Sequence, residues 1–494
     1  MGTLLQRLRL SFKEAAEKTH MCAVTRVGLF GAVFGIGSLA IGIVAYAPDA
    51  SAVPSFARQT GQPCATCHTQ FPELTPYGRQ FKLMAYTSGG TRCGDGSAVS
   101  SESQVPLAVM TQPYTFTNVK SKIAQPADNQ YSTVQQTSLF VAGQLYCNVG
   151  AMVQMTYDRP GVSFGWDNSD IRYASTATVN GTNVVYGISA NNNPTMQDVW
   201  NTTPAWAFPY ISSEIAPVPG ASTMIQGTWA QRVAGAGAYV WIDNMIYAEF
   251  SAYGALNPRT LTTFGVDPTD GTPRFAGAAP YWRLAIEKTW DKNSLMIGTF
   301  GMYADVQPTG ANPSGIPQAL TYGSGITDPF LDVGVDTQYQ YIGDVHAFTL
   351  RASYIWEHQK LNAESNPNLI PNQLSGTLTN PTDELYAFNA SATYTYDRTV
   401  AFTTAYFATW GTADAGLYPN SATFSPNSSG WVFDLGYMPY SHGGPDLWPW
   451  LNGRIGISYT HYDKFDGSTN FVDGTPGLKA SGNDTFFLYT WFAF

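Results

Sequence analysis

The stretch Leu331-Asp332-Val333-Gly334-Val335-Asp336-Thr337-Gln338-Tyr339-Gln340-Tyr341-Ile342 reads as two interleaved sequences. In an extended chain successive side chains point to opposite faces. Leu331, Val333, Val335, Tyr339 and Tyr341 therefore share one face, and Asp332, Asp336, Gln338 and Gln340 share the other. Tyr386–Tyr396 repeats the pattern, with Tyr386, Phe388, Ala390, Ala392, Tyr394 and Tyr396 opposed to Asn389, Ser391, Thr393 and Thr395. Trp282, Leu284, Ile286 and Trp290 likewise oppose Arg283, Glu287 and Thr289. Runs of about ten such residues are the unit of a membrane-spanning strand, apolar toward lipid and polar toward a lumen.

Turn spacing extends this reading along the chain. Short turns fall near Asp243-Asn244, Asp291-Lys292-Asn293, Gly343-Asp344 and Asp397-Arg398, and they alternate with long segments near 256–279, 306–329, 359–382 and 412–428. Transmembrane barrels have short turns on one side and long loops on the other. The chain closes on Phe486-Phe487-Leu488-Tyr489-Thr490-Trp491-Phe492-Ala493-Phe494, an alternating strand ending in Phe that resembles the C-terminal assembly signal of bacterial outer-membrane barrels. Counting gives about fourteen strands, and a hairpin at Asn180-Gly181 brings the number to about sixteen. The expected fold is thus an all-β, antiparallel transmembrane barrel over 105–494, with both termini in the periplasm. Trp241, Trp290, Trp356 and Trp410, near strand ends, are expected in interfacial aromatic girdles.

Composition agrees with a barrel. Of 494 residues, 12% are charged and 14% aromatic, and a mean hydropathy of −0.13 excludes a bundle of many apolar helices. A net charge of −10, without clustered Lys and Arg after the first thirty residues, excludes a nucleic-acid partner. Residues 27–46 form an uncharged apolar run, preceded by Arg7, Arg9, Lys13, Lys18 and Arg26 and followed by Ala50-Ser51-Ala52. That order predicts a signal peptide over 1–52, with Met21 as an alternative start.

Between signal and barrel lies Pro63-Cys64-Ala65-Thr66-Cys67-His68. C-x-x-C-H is the attachment motif of a covalently bound haem c. Its two thiols add to the vinyl groups, and the following imidazole becomes the proximal iron ligand. In an exported chain without a second Cys/His pair, haem outweighs zinc or thiol redox chemistry. Residues 53–104 are accordingly expected to be a mono-haem segment that plugs or caps the lumen. Met84, sixteen residues beyond His68, is the leading distal ligand, with Met110 or a barrel residue as alternatives. Cys93 and Cys147 are left to form a disulfide. His346, His358, His442 and His461 fall near strand ends and read as surface histidines.

The run Val53-Pro54-Ser55-Phe56-Ala57-Arg58-Gln59-Thr60-Gly61, the C-A-T-C-H motif, and Phe71-Pro72-Glu73-Leu74-Thr75-Pro76-Tyr77-Gly78-Arg79-Gln80-Phe81-Lys82 resemble the fused outer-membrane cytochrome-porins of iron-oxidising bacteria. In that family one c-type haem precedes a barrel of sixteen expected strands. The resemblance implies oxidation of extracellular Fe(II) and transfer of the electron to a periplasmic c-type cytochrome or blue copper protein. Cys64, Cys67 and His68 match the family's motif; the distal ligand does not carry over. Carboxylates such as Asp267, Asp270, Asp328 and Asp383 are placed to favour cation entry at an outer mouth. Two other readings stay open: a porin whose haem is structural or sensory, and a conduit carrying electrons outward.

Overall fold

The computed structural model describes residues 54–90, 106–124, 130–158, 163–269, 272–307, 309–311, 317–319, 327–362, 380–415, 417–418, 421–443 and 451–494. The expected signal peptide, Cys93 and Asp270 lie outside these residues. Three short helices come first: α1 (Pro54–Thr60), α2 (Cys64–Cys67) and α3 (Pro76–Leu83). Sixteen antiparallel strands form the barrel wall. They are β1 (Leu107–Gln112 and Thr115–Val119), β2 (Gln130–Thr133 and Gln136–Tyr146), β3 (Val149–Asp158), β4 (Ser163–Val179), β5 (Thr182–Asn191), β6 (Val233–Ile242), β7 (Ile246–Ala255) and β8 (Ala278–Trp290). The second half comprises β9 (Asn293–Gln307), β10 (Asp328–Ile342), β11 (His346–Lys360), β12 (Thr382–Tyr396), β13 (Val400–Gly411), β14 (Ser428–Tyr437), β15 (Asn452–Lys464) and β16 (Thr485–Ala493). Each pairs with its neighbour in sequence, and β16 closes the ring on β1 through Met110↔Ala493 and Thr115↔Tyr489. Closure leaves no sheet edge unpaired, as a strand wall in lipid requires.

Tight turns set the register. Asn180 and Gly181 both have positive φ, as do Asp243-Asn244 and Asp397-Arg398. That backbone hand matches the twist of a two-strand ribbon. The short turns lie at one end, and β5, β7, β9, β11, β13 and β15 run to the other, where the long connections begin. Phe494 is at the short-turn end, because β16 descends from a long loop.

The wall has two solvents. Val335, Leu284, Ile286, Ile297, Phe250, Leu350, Phe402, Leu435 and Ile457 are exposed on the outside. Such a belt exceeds any apolar patch tolerated in water and marks a lipid-facing surface. Asp332, Asp336, Gln338, Gln340, Arg283 and Glu287 are buried on the inside. Tyr341, Phe348, Tyr394 and Tyr396 gather at the short-turn end with His346. Tyr354, Tyr386 and Trp410 stack toward the long-loop end. Trp290 and Trp410 face outward as expected, but Trp241 does not: it is buried inside with Trp200, Tyr239 and Tyr247. In β6 the outward residues Ala234, Ala236, Ala238 and Val240 are nearly as apolar as the inward ones, so alternation lost its phase there.

The lumen is filled by two segments. Residues 54–90 enter at the short-turn end, and the first part of the long segment 192–232 folds inward to meet them. Met196, Asp198, Trp200, Asn201 and Thr203 are buried. The Asn201 side chain accepts from the Leu74 N–H at 3.0 Å, and the Tyr210 hydroxyl donates to Glu73 at 3.1 Å.

Candidate functional site

The cysteine motif is built by one helical turn. Pro63, with φ of −65°, starts α2, and residues three apart share a helix face. Cys64 and Cys67 therefore lie on one side. His68 leaves in extended conformation, its N–H still on the Cys64 carbonyl at 2.9 Å. The turn is pinned to the wall: Ala65 N–H donates to the Ser441 carbonyl at 2.9 Å, and the Asn452 amide donates to Cys64 Sγ at 3.0 Å. Thr75 connects the motif to α3. Its N–H donates to the Cys67 carbonyl and its hydroxyl to the Thr66 carbonyl, while the same oxygen caps Gly78 N–H. Gly78 is required by contact, since a Cβ there would lie 2.3 Å from the Cys67 carbonyl oxygen.

Cys64, Cys67 and His68 line a cavity of about 470 Å³ between the inserted segments and the wall of β1–β4, β15 and β16. Phe71, Leu74, Phe81, Met110, Phe140, Met152, Trp206, Met438 and Trp491 supply much of its apolar lining. A volume of several hundred Å³, its apolar surface interspersed with polar side chains such as Gln70, Gln112, Gln154 and Asn201, suits a cofactor. Burial pushes the Cys64 thiol up to about 12, with Cys67 adding to the effect, and pushes Cys67 up to about 11. Such thiols stay protonated, which disfavours thiolate metal binding or disulfide exchange; uncharged thioethers suit the setting. Burial also lowers His68 to about 4, with backbone groups of Pro72 and Glu73 opposing. Its imidazole is neutral, as a metal ligand must be, and its Nδ1 is buried without a hydrogen-bond partner. These residues fit a thioether-linked haem with His68 as proximal ligand.

Around the cavity the inserted segments are locked by buried charge. Glu73 pairs with Arg351 and also accepts from Thr69 at 2.7 Å; Arg79 pairs with Glu287 and reaches Gln340 at 2.7 Å. Burial alone would raise the Glu73 carboxyl, but the Arg351 charge and the hydrogen bonds from Arg351, Thr69 and Gln70 hold it below its ordinary value. Arg283 pairs with Asp336 at 2.6 Å and Asp198 at 3.4 Å. Lys82 is buried with its ammonium on the Met196 and Asp198 carbonyls, both at 2.8 Å. Burial, reinforced by nearby Arg172, lowers it to about 7 against the pull of Asp170, Asp198 and Glu249.

Met84 is placed elsewhere than the distal-ligand expectation requires. It sits at the C-cap of α3, packed with Leu74 on the cluster of Trp200, Tyr239 and Trp241, and is not part of the cavity lining. Met110, the alternative, does line the cavity, as do Met152 and Met438. Cys147, in the turn after β2, is disulfide-bonded, and its expected partner Cys93 is outside the described residues. His346, His358, His442 and His461 lie at or near strand ends, each beside a tyrosine or a carboxylate. Asp328 and Asp383 are buried toward the lumen, whereas Asp267 is exposed. Among the described residues no three His, Cys, Asp or Glu side chains form a metal site. Sequence reading passed over Lys82, Trp206 and Tyr210. A Trp/Tyr/Pro-rich stretch too long for a turn, 192–232, was the available signal for the latter two.

No protein-family model and no curated protein matches the chain. Among solved structures, the outer-membrane expressed OmpT of Vibrio cholerae is similar at 8% identity and a TM-score of 0.42, over 81% of this chain and 100% of that one. The outer-membrane channel DcaP of Acinetobacter baumannii has 12% identity and a TM-score of 0.40, over 82% and 99%. Pseudomonas putida OprB has 10% identity and a TM-score of 0.42, over 78% and 93%.

Proposed function

We propose that this chain is a bacterial outer-membrane electron-transfer cytochrome that oxidises extracellular Fe(II) and passes the electron to a periplasmic c-type cytochrome or blue copper protein. The observation that carries this reading is that Cys64, Cys67 and His68 line one lumenal cavity of cofactor size at the short-turn end of a membrane barrel. One haem c, held by Cys64, Cys67 and His68, would supply one-electron exchange there. The identity of donor and acceptor rests on the resemblance of residues 53–82.

The protein's own residues have three tasks. Phe71, Leu74, Phe81 and Trp491 keep the cavity apolar. The Glu73–Arg351 and Arg79–Glu287 pairs hold the inserted segment across the lumen, which favours passage of electrons over passage of solutes. Met110, Met152 and Met438 are better placed than Met84 to offer a distal sulfur.

Anaerobic addition of Fe(II) to purified oxidised protein tests the proposal. The expected result is a c-type spectrum that becomes reduced, followed by reoxidation by a periplasmic acceptor. A haem that stays oxidised overturns the Fe(II) reading. Rapid sugar flux through reconstituted barrels would instead support a porin with a structural or sensory haem.

A further inference from the structure

We infer that Lys82 is the counter-ion of a haem propionate in this cavity, an inference that rests on the haem reading above. Lys82 lies in the last turn of α3, is 6% exposed, and lines the cavity. Its ammonium lies 4.4 Å from the centroid of the Trp206 ring. An ammonium has three N–H donors; two reach the Met196 and Asp198 carbonyls. Among the described residues no carboxylate stands within ion-pair distance of it. The three nearby acids have other partners: Asp198 accepts from the backbone N–H groups of Trp200, Thr202 and Thr203 and neighbours Arg283, Asp170 is bound to Arg172, Tyr86 and Ser189, and Glu249 accepts from the Tyr247 and Ser251 hydroxyls. A buried cation without an anionic partner is costly, and an incoming carboxylate relieves that cost.

Haem c carries two propionates on an edge of the macrocycle distinct from the edge that forms the thioethers. The cysteine side of the cavity is fixed by Ser441 and Asn452, beside β15. Lys82 lies toward other strands: its carbonyl accepts from Arg172 of β4, and the carbonyl of the adjoining Leu83 accepts from Tyr239 of β6. Two further cations line the cavity. Arg454, beside the cysteine turn on β15, pairs with Asp434 and the Phe71 carbonyl, and Arg398 places its terminal nitrogens on the Gly343 and Asp344 carbonyls at the short-turn end; the Nε of each is buried without a partner. Lys82 is thus the lining cation that reaches the cavity away from the cysteines with a donor to spare.

The test is redox titration of the purified barrel carrying Lys82→Met, Lys82→Gln, Lys82→Arg or Arg398→Met. Removing a cation beside a propionate favours the ferric state. Lys82→Met is expected to keep the covalent haem yet lower the ferrous-to-ferric ratio at fixed potential about tenfold, ~59 mV for one electron. The propionate bands in resonance Raman should shift with it, and Lys82→Arg should restore both. Lys82→Gln, which keeps donors for the two carbonyls, is the gentler variant. An unshifted potential in Lys82→Met or Lys82→Gln, loss of haem from both, or a shift confined to Arg398→Met overturns the inference. Absence of any covalent haem from wild-type protein made in a maturation-competent host would instead overturn the haem reading itself.

Discussion

Arg283 and Leu284 are neighbours in β8 that face different solvents. Leu284 is 54% exposed on the belt, whereas Arg283 is fully buried between Asp336 and Asp198, over the ring of Trp200. Much of the wall repeats one rule, apolar out and polar in, with β9 the clearest departure through its inward Met296, Phe300, Met302 and Val306. The interior is not repetitive: Arg283 is met by two aspartates and Arg79 by Glu287, whereas Lys82 has only backbone carbonyls. Wall stability should therefore depend on the class of residue, and interior stability on its identity.

The largest break of that contrast is Arg283→Leu. Leucine would suit the belt, but here it strands two buried carboxylates, at a cost of about 3–5 kcal/mol. Denaturant unfolding in phospholipid vesicles would measure it, and a loss below the effect of an ordinary lipid-face change would make the interior as permissive as the wall. The reciprocal substitution, Leu284→Arg, puts charge into lipid near mid-strand and should cost about 2–4 kcal/mol in the same assay. A neutral result would mean that the exposed belt does not meet lipid.

Next in size is Gly78→Ala. The added Cβ would press on the Cys67 carbonyl, and overpacking of this kind costs about 1–3 kcal/mol. It should loosen the inserted segment and leave the wall intact: limited proteolysis would cut within 54–90 while the barrel keeps its heat-resistant migration. Equal protection of mutant and wild type would show that α3 has room to shift.

The wall was legible in the sequence because its information is local. Alternation over ten residues and turn pairs such as Asn180-Gly181 need no distant partner to be read, and the uncertain pair of strands resolved at that hairpin. Where both faces are apolar, as around Trp241, the same signal fails. The interior was legible only at its chemical signature, Cys64, Cys67 and His68. Glu73 and Arg351 are separated by 278 positions, and nothing in either neighbourhood marks the pair. Lys82 looks in sequence like an ordinary helix-end lysine; only its burial and missing carboxylate distinguish it.

The acid response of the inserted segment should be smaller than the Gly78 effect, since burial offsets much of the pull of Arg351 on Glu73. The folded-state value of Glu73 is depressed. Its contribution is therefore complete above the ordinary value of about 4.3 and is lost as pH falls through the lower folded value. Protection of residues 54–90 from an acid protease should stay flat from pH 7 to about pH 4 and fall below that. Glu73→Gln should abolish the acid step, and a step that persists in that variant would assign it to another carboxylate.

The smallest expected effect is that of Met84→Ala on the haem. Met84, at the C-cap of α3, packs against the Trp200 cluster and is not among the residues that line the cavity, so the change removes packing there and leaves the lining as it was. The positions of the visible bands and the midpoint potential should match wild type. Met110, 6% exposed, lines the cavity on β1 and packs with Phe71 and Trp491, and Phe71 lies against the His68 ring at 5.4 Å between centroids. Met110→Ala, Met152→Ala and Met438→Ala are the paired controls, and a methionine that supplies the distal sulfur should alter the spectrum when removed. A spectrum that changes with Met84 and with none of these three would require α3 to turn over within the lumen when haem is attached, so that the interior would be set by the cofactor as well as by its ion pairs.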